Sequence, residues 1–258
     1  MKKRKKSASK IYLLLITGII ILVAGLIIVA KKYAPTRERM ELSEVYESNF
    51  ENEAAVILNG EYIPTDETDS CANAVILSGT PYLQLDFIKN NIDNRYVYDD
   101  SENILRYTTD TDIISVNIGD NTYSVGRSEE SIDAPIIQQE GGGVYLAVQF
   151  VQKYSDMGYS VESDPDRIII QLAGWEKKTA SIKKKTQIRR LGGPKSKILR
   201  DVAKGDAVVV LDEIGKWSEV MTEDGVIGYC MDKYLTDRTT ETVEPVLPER
   251  SYRHILMD

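Results

Sequence analysis

The sequence predicts one N-terminal transmembrane helix followed by two β-rich modules. The first is an α+β domain of two hairpin-helix-hairpin repeats, and the second is a small all-β barrel. Three observations carry this reading: a long uncharged run near the start, a pattern that occurs twice in the middle of the chain, and a reversal of charge sign between the two modules.

The helix comes first. Lys2, Lys3, Arg4, Lys5, Lys6 and Lys10 crowd the opening, and the stretch from Ile11 to Ala30 then carries no charge at all. At about 1.5 Å per helical residue such a run spans about 30 Å, the hydrocarbon thickness of a bilayer. The basic flank before it outweighs Lys31, Lys32, Arg37 and Arg39 after it. The expected topology is therefore single-pass, with the N-terminus cytoplasmic and the C-terminal bulk extracytoplasmic. A cleaved secretory signal competes, with Ala30 as the small residue at a cleavage point. Signal cores run about 7–15 residues, however, and this one is longer and meets Lys31 and Lys32 at once, which favours an anchor. Residues 1–32 are thus a cytoplasmic tip and membrane anchor, with residues 11–30 as the membrane contact. Residues 33–54, where Met40, Leu42, Val45 and Tyr46 lie among charges, read as a juxtamembrane spacer with a short helix.

The net charge of −8 conceals a strong asymmetry. Residues 1–32 carry +8, residues 33–176 carry −19, residues 177–235 carry +5 and the remainder carries −2. Cys71 and Cys230 are the two cysteines and fall in different modules, so no disulfide framework is indicated. His254 is the one histidine. A His- or Cys-rich metal site, a Cys-His peptidase and a zinc amidase are disfavoured on that ground, and no metal and no cofactor is expected. Asp/Glu pairs leave a glycosidase as the open enzyme class, but carboxylates in turns are mostly solvation, and no catalytic residue is assigned.

Residues 55–175 form the acidic module. Ala55 to Leu58, Asn59-Gly60 and Glu61 to Ile63 spell a hairpin, because Asn and Gly both tolerate the positive φ of a type I′ turn. Ser78-Gly79, Asp99-Asp100, Gly119-Asp120 and Gly141-Gly142-Gly143 continue the punctuation between β-like runs such as Ile104 to Thr108, Ile113 to Ile118, Thr122 to Val125 and Arg167 to Leu172. Helical spacing interrupts twice, at Leu85 to Ile92 and at Val148 to Met157. Tyr82-Leu83 with Phe87-Ile88 recurs downstream as Tyr145-Leu146 with Phe150-Val151, and at the same offset Tyr96 recurs as Tyr159. The segment Tyr98 to Leu105 recurs as Val161 to Ile169 with one residue inserted. Two such units would bury their apolar faces on each other. Tyr82, Tyr96, Tyr98, Tyr107, Tyr145 and Tyr159 stand at strand and helix-entry positions, where a tyrosine packs its ring inward and keeps its hydroxyl polar; a sugar-stacking surface is the competing role. Leu58-Asn59-Gly60, the two Tyr-Leu-x-x-x-Phe entries and the closing Asp164 to Gln171 together resemble the copper amine oxidase N-terminal-like domain of Gram-positive surface proteins. The resemblance implies a structural stalk without bound copper.

Residues 177–236 form the basic module. Its turns are Gly192-Gly193-Pro194, Lys204-Gly205-Asp206, Gly215 and Asp224-Gly225, with Ala207 to Asp212, Trp217 to Met221 and Val226 to Cys230 as strands. The order Thr186 to Arg189, Val202-Ala203-Lys204-Gly205-Asp206, Trp217-Ser218-Glu219-Val220 and Gly228-Tyr229 resembles a bacterial SH3-like domain. That resemblance implies a cell-wall partner, peptidoglycan peptides or glycans, with Trp217 and Tyr229 as groove candidates. Independently, Lys183, Lys184, Lys185, Arg189, Arg190, Lys195 and Lys197 suit an anionic polymer such as a teichoic acid. A nucleic acid would need the same charge, but the expected topology places the module outside the cell, so no nucleic-acid partner is expected.

Residues 237–258 read as a linker or tail, with Pro245 and Pro248 and no periodicity. The order of anchor, stalk and SH3-like module resembles the front of glycoside hydrolase family 18 surface proteins, yet no Asp-x-x-Asp-x-Asp-x-Glu segment occurs. The expectation is a non-catalytic envelope protein that projects a wall-binding barrel from the membrane. The alternative is an accessory or truncated part of a wall-active glycoside hydrolase.

Overall fold

The computed structural model describes residues 3–66, 68–109 and 112–245. Helix α1 spans Lys3–Tyr33, and its candidate membrane span Tyr12–Tyr33, 22 residues, is not buried in the folded body. It is one helix long and apolar enough to cross a membrane.

The acidic segment folds around three sheets and two short helices. Strands β1 (Ala55–Leu58) and β2 (Glu61–Ile63) form the expected hairpin, with Leu58 opposite Glu61 and φ of +49° and +82° at Asn59 and Gly60. Strands β3 (Ala74–Leu77) and β4 (Thr80–Gln84) form a second two-residue hairpin, and helix α2 (Leu85–Asn91) follows without a linker. The Gln84 side chain caps α2 by accepting from the amide of Phe87 at 2.8 Å. Strands β5 (Tyr96–Asp99), β6 (Ile104–Thr108), β7 (Ile113–Asn117), β8 (Thr122–Val125) and β9 (Ser128–Ser131) form a five-stranded antiparallel meander.

The chain then returns through the hairpin β10 (Ile137–Glu140) and β11 (Gly143–Ala147), helix α3 (Val148–Tyr154), and the hairpin β12 (Met157–Glu162) and β13 (Arg167–Leu172). Met157, expected in the helix, begins β12 instead. Strand β4 meets β11 antiparallel with Leu83 opposite Leu146, and β13 pairs in parallel with β1, so the last strand closes on the first. The inserted residue expected between the two distal hairpins does not occur. Asp99 faces Ile104 in one and Glu162 faces Arg167 in the other, each across a four-residue loop.

Leu83, Ile88, Leu146, Phe150, Val151 and Ile168 share one core with buried tyrosines that include Tyr82, Tyr96, Tyr107 and Tyr145. Each of these hydroxyls finds a partner: Tyr82 donates to Pro135 O, Tyr107 to Asp93 and Tyr154 O, and Tyr145 to Ala72 O, while Tyr96 meets the Ser155 hydroxyl. Rings packed this way offer no stacking face to a sugar.

The C-terminal segment forms a seven-stranded sheet. Strands β14 (Glu176–Ile182), β15 (Thr186–Arg189), β16 (Ile198–Val202), β17 (Ala207–Ile214), β18 (Trp217–Thr222), β19 (Ile227–Met231) and β20 (Leu235–Thr242) lie in the order β16-β15-β19-β18-β17-β14-β20. Ile182, Ile188, Val208, Val220 and Cys230 fill its interior. Burial pushes the Cys230 thiol up to about 12, as befits a small core hydrophobe. The linker expected from residue 237 is corrected through Thr242, because β20 pairs with β14 along its length. Its threonines suit a sheet edge, where β-branched side chains fit without an apolar alternation.

A third core lies between the modules, where Tyr46, Ala55, Ile57, Ile169 and Met221 pack together with Tyr62, Trp175 and Leu211. The spacer after α1 is also no free tether. The amides of Thr36 and Met40 donate to Pro194 O and Ile198 O at 2.8 and 3.0 Å, and the Ile198 amide donates to Glu38 O at 2.8 Å. Residues 36–40 therefore strap edge strand β16, and only a 3-10 turn at Leu42–Glu44 remains of the expected helix. The expected projection of the basic module away from α1 is overturned, because this module holds the segment that leaves the helix.

Candidate functional site

The strap and the β15–β16 loop build the best-defined surface. Arg189, which ends β15, is only 6% exposed. Its guanidinium donates to Ser196 O at 2.7 Å, to Gln187 Oε1 at 2.7 Å and to Thr36 O at 3.3 Å. Burial lowers its pKa, and its donors are spent on the strap and loop. Arg189 is thus a structural clamp and not a polymer contact, a correction to its sequence assignment.

The other six predicted cations do not form one cluster. Lys183, Lys184 and Lys185 are exposed in the β14–β15 turn, with the Lys184 ammonium 4.7 Å and that of Lys233 5.1 Å from the Tyr234 ring centroid. Arg190, Lys195 and Lys197 lie beyond the opposite end of β15. There Lys195 Nζ donates to Lys31 O at 3.0 Å, and Lys197 Nζ stands 3.9 Å from Glu44. Proximity in sequence could not separate these two groups, since the direction of β15 decides which end each occupies.

Trp217 and Tyr229 do share a surface. On β18 Ser218 and Val220 are buried while Trp217 and Glu219 are half-buried on the other face, whose next position, Met221, is buried in the core between the modules. Trp217 lies opposite Ile214 on β17 and Met231 on β19, and Glu219 lies opposite Asp212 and Tyr229. This gives an outer apolar row, Ile214–Trp217–Met231, beside a polar row, Asp212–Glu219–Tyr229. Tyr229 is thereby a diagonal neighbour of Trp217 and not its direct partner. The indole also packs on Gly192, where an added Cβ would come within 3.3 Å of its Cγ. Both aromatic rings are half-buried.

A cleft of about 680 Å³ separates the two modules, lined by Glu162, Gln171, Lys177, Thr179, Glu223 and Glu241 among others. It offers carboxylates and hydroxyls for hydrogen bonding to a polar ligand. No local motif announces it, because its walls come from β12–β13 on one side and β14, β17 and β20 on the other. Among the described residues no group of three or more His, Cys, Asp or Glu side chains is placed to hold a metal ion. His254 lies outside the described residues.

Residues 57–172 match the model of the copper amine oxidase N-terminal domain, a non-catalytic domain. The matched segment contains one cysteine, Cys71, and no histidine, so its donor set does not fit a copper site built on imidazole. No curated protein and no solved structure matches the chain.

Proposed function

We propose that the chain is a non-catalytic cell-envelope protein held in the membrane by α1, with its folded body outside the cell. The observation that carries this reading is the helix itself: its uncharged run up to Ala30 finds no cover in the body, while the residues just after the helix are hydrogen-bonded into it. The basic tip before Tyr12 supports a cytoplasmic N-terminus.

On this reading the matched domain is a rigid scaffold made of two copies of one unit. The offset that carries Tyr82 onto Tyr145 relates β4, α2 and β5–β6 to β11, α3 and β12–β13, and the antiparallel pairing of Leu83 with its counterpart Leu146 is what a two-fold relation between copies requires. The seven-stranded sheet is an SH3-like module, and its partner is an anionic cell-wall polymer. Lys183, Lys184 and Lys185, with Lys233 at the Tyr234 ring, make the contact, because this group is exposed at one turn.

The test is co-sedimentation of the full chain, in detergent, with dye-labelled cell-wall sacculi. Retention that needs teichoic acid and falls with salt supports the lysine contact, whereas no retention removes the wall partner. Release of dye would make the protein a wall-active enzyme instead. Extraction of the chain from membranes by alkaline carbonate alone would remove the anchor.

A further inference from the structure

Two aliphatic side chains of the C-terminal module are exposed, and an indole is half-exposed, near the loop that meets the end of α1. Leu191 is 63% exposed in the β15–β16 loop and Ile214 is 54% exposed at the end of β17, with half-buried Trp217 beside it. Trp217 joins them into one patch, since it faces Ile214 across the strands and rests on Gly192, the neighbour of Leu191. A folded surface seldom leaves an indole and two aliphatic side chains together in water without use.

The patch is tied to the helix by two bonds. Lys195 Nζ donates to the carbonyl of Lys31, inside the last turn of α1, and the Thr36 amide donates to the carbonyl of Pro194. Thr36 is three residues beyond Tyr33, so the loop lies within about 10 Å of the end of the apolar span along the chain. Around the patch are exposed Lys31, Lys32, Arg190, Lys195 and Lys216. The acidic groups nearby are exposed Glu38 in the strap, Asp212 and Glu219 in the row farther from the hairpin tip, and Glu213 and Asp232, both paired to Arg238.

We propose that Leu191, Ile214 and Trp217 form a membrane-docking surface that seats the C-terminal module on the anionic lipid surface around the chain's own helix. This inference rests on the membrane reading of α1. An interfacial indole, exposed aliphatic side chains and lysines beside them match the chemistry of the headgroup layer. Trp217 then serves lipid and not glycan. The polar row that includes Tyr229 marks where water resumes, and the module is held against the bilayer with the Lys183–Lys185 turn left for other partners.

The experiment places p-benzoylphenylalanine singly at Leu191, Ile214, Ile19 and Val97 of the full chain in bilayers containing phosphatidylglycerol. Lipid adducts are read by mass after irradiation. Ile19 reports the anchor and Val97, exposed on the acidic module, reports random contact. The expected result is lipid adducts at positions 19, 191 and 214 and none at 97, with those at 191 and 214 reduced by more than half in purely zwitterionic lipid. Adducts at 19 without adducts at 191 and 214 overturn the docking surface while leaving the anchor standing. Adducts at none of these positions overturn both. Transfer of the label at 191 from lipid to added sacculi would assign the row to a glycan instead.

Discussion

The hydroxyl of Tyr46 donates to the carbonyl of Gly225 at 2.8 Å, across 179 positions of sequence, and accepts from the Ile227 amide at 3.0 Å. Its ring meets that of Tyr62 edge-on at 5.1 Å, and the Arg167 guanidinium lies 5.7 Å from its centroid. One residue of the segment that follows the strap thus touches the first module through Tyr62 and Arg167 and the second through the turn at Gly225. Tyr46→Phe keeps the packing and strips two bonds, which should lower stability by about 1–3 kcal/mol because the turn's amide and carbonyl lose their partner. Denaturant unfolding of the full chain in detergent, followed by tryptophan fluorescence, measures this. An unchanged midpoint would remove the joint.

Arg167 belongs to the same joint. It is 2% exposed and donates to Asp224 O at 3.1 Å and to Pro165 O at 2.7 Å. Arg167→Met is expected to cost about 1.5–3 kcal/mol, the range for hydrogen bonds from a charged group. Combined with Tyr46→Phe, the loss should depart from additivity by about 0.5 kcal/mol or more, since both act on the turn 224–227. A double-mutant cycle reads the coupling, and strict additivity would mean that the two contacts are independent.

Two glycines in matching turns separate backbone strain from crowding. Gly60 and Gly79 both have φ of +82°, but an added Cβ at Gly60 would lie 2.4 Å from Leu211 Cδ2, whereas at Gly79 it meets nothing within 4 Å. Gly79→Ala should cost about 1 kcal/mol from the left-handed backbone alone. Gly60→Ala should cost about 1–3 kcal/mol more, because Leu211 belongs to the other module and must move. Equal losses in unfolding experiments would show that the modules give way freely at this contact.

Asp93 supplies an acid-sensitive contact. Burial raises its pKa, but the Arg95 guanidinium and amide and the Tyr107 hydroxyl outweigh that and hold it below the usual carboxylate range. A depressed folded pKa contributes stability that is present above the unfolded value, near 3.9, and is lost as pH falls through the folded value. Asp93→Asn should therefore be less stable than the parent at pH 7, and the gap should narrow below about pH 4. A gap constant with pH would show that the carboxylate charge is immaterial.

The two thiols should differ in reactivity. Cys230 is fully buried with its pKa pushed up to about 12, while Cys71 is half-buried. Iodoacetamide at pH 8 should modify Cys71 first and leave Cys230 unmodified until denaturant is added, as mass spectrometry of timed samples would reveal. Early modification of Cys230 would contradict a packed sheet interior.

Much of this protein was legible in the sequence because its signals are local. An uncharged run makes α1 whatever else folds, Asn59-Gly60 makes a type I′ hairpin because both residues accept positive φ, and the helix entries at Tyr82 and Tyr145 repeat with their cores. The inward tyrosines followed from strand position and amphipathic chemistry. Tertiary structure alone decided the rest, because it depends on which distant surfaces meet. Arg189 looked like one cation among seven until the Thr36 carbonyl claimed it, Leu235–Thr242 became a strand only by pairing with β14, and Tyr46 turned a spacer into a joint. Hydrophobic pattern and turn chemistry act over a few residues, whereas a buried hydrogen bond to a segment more than a hundred positions away leaves no trace in local spacing.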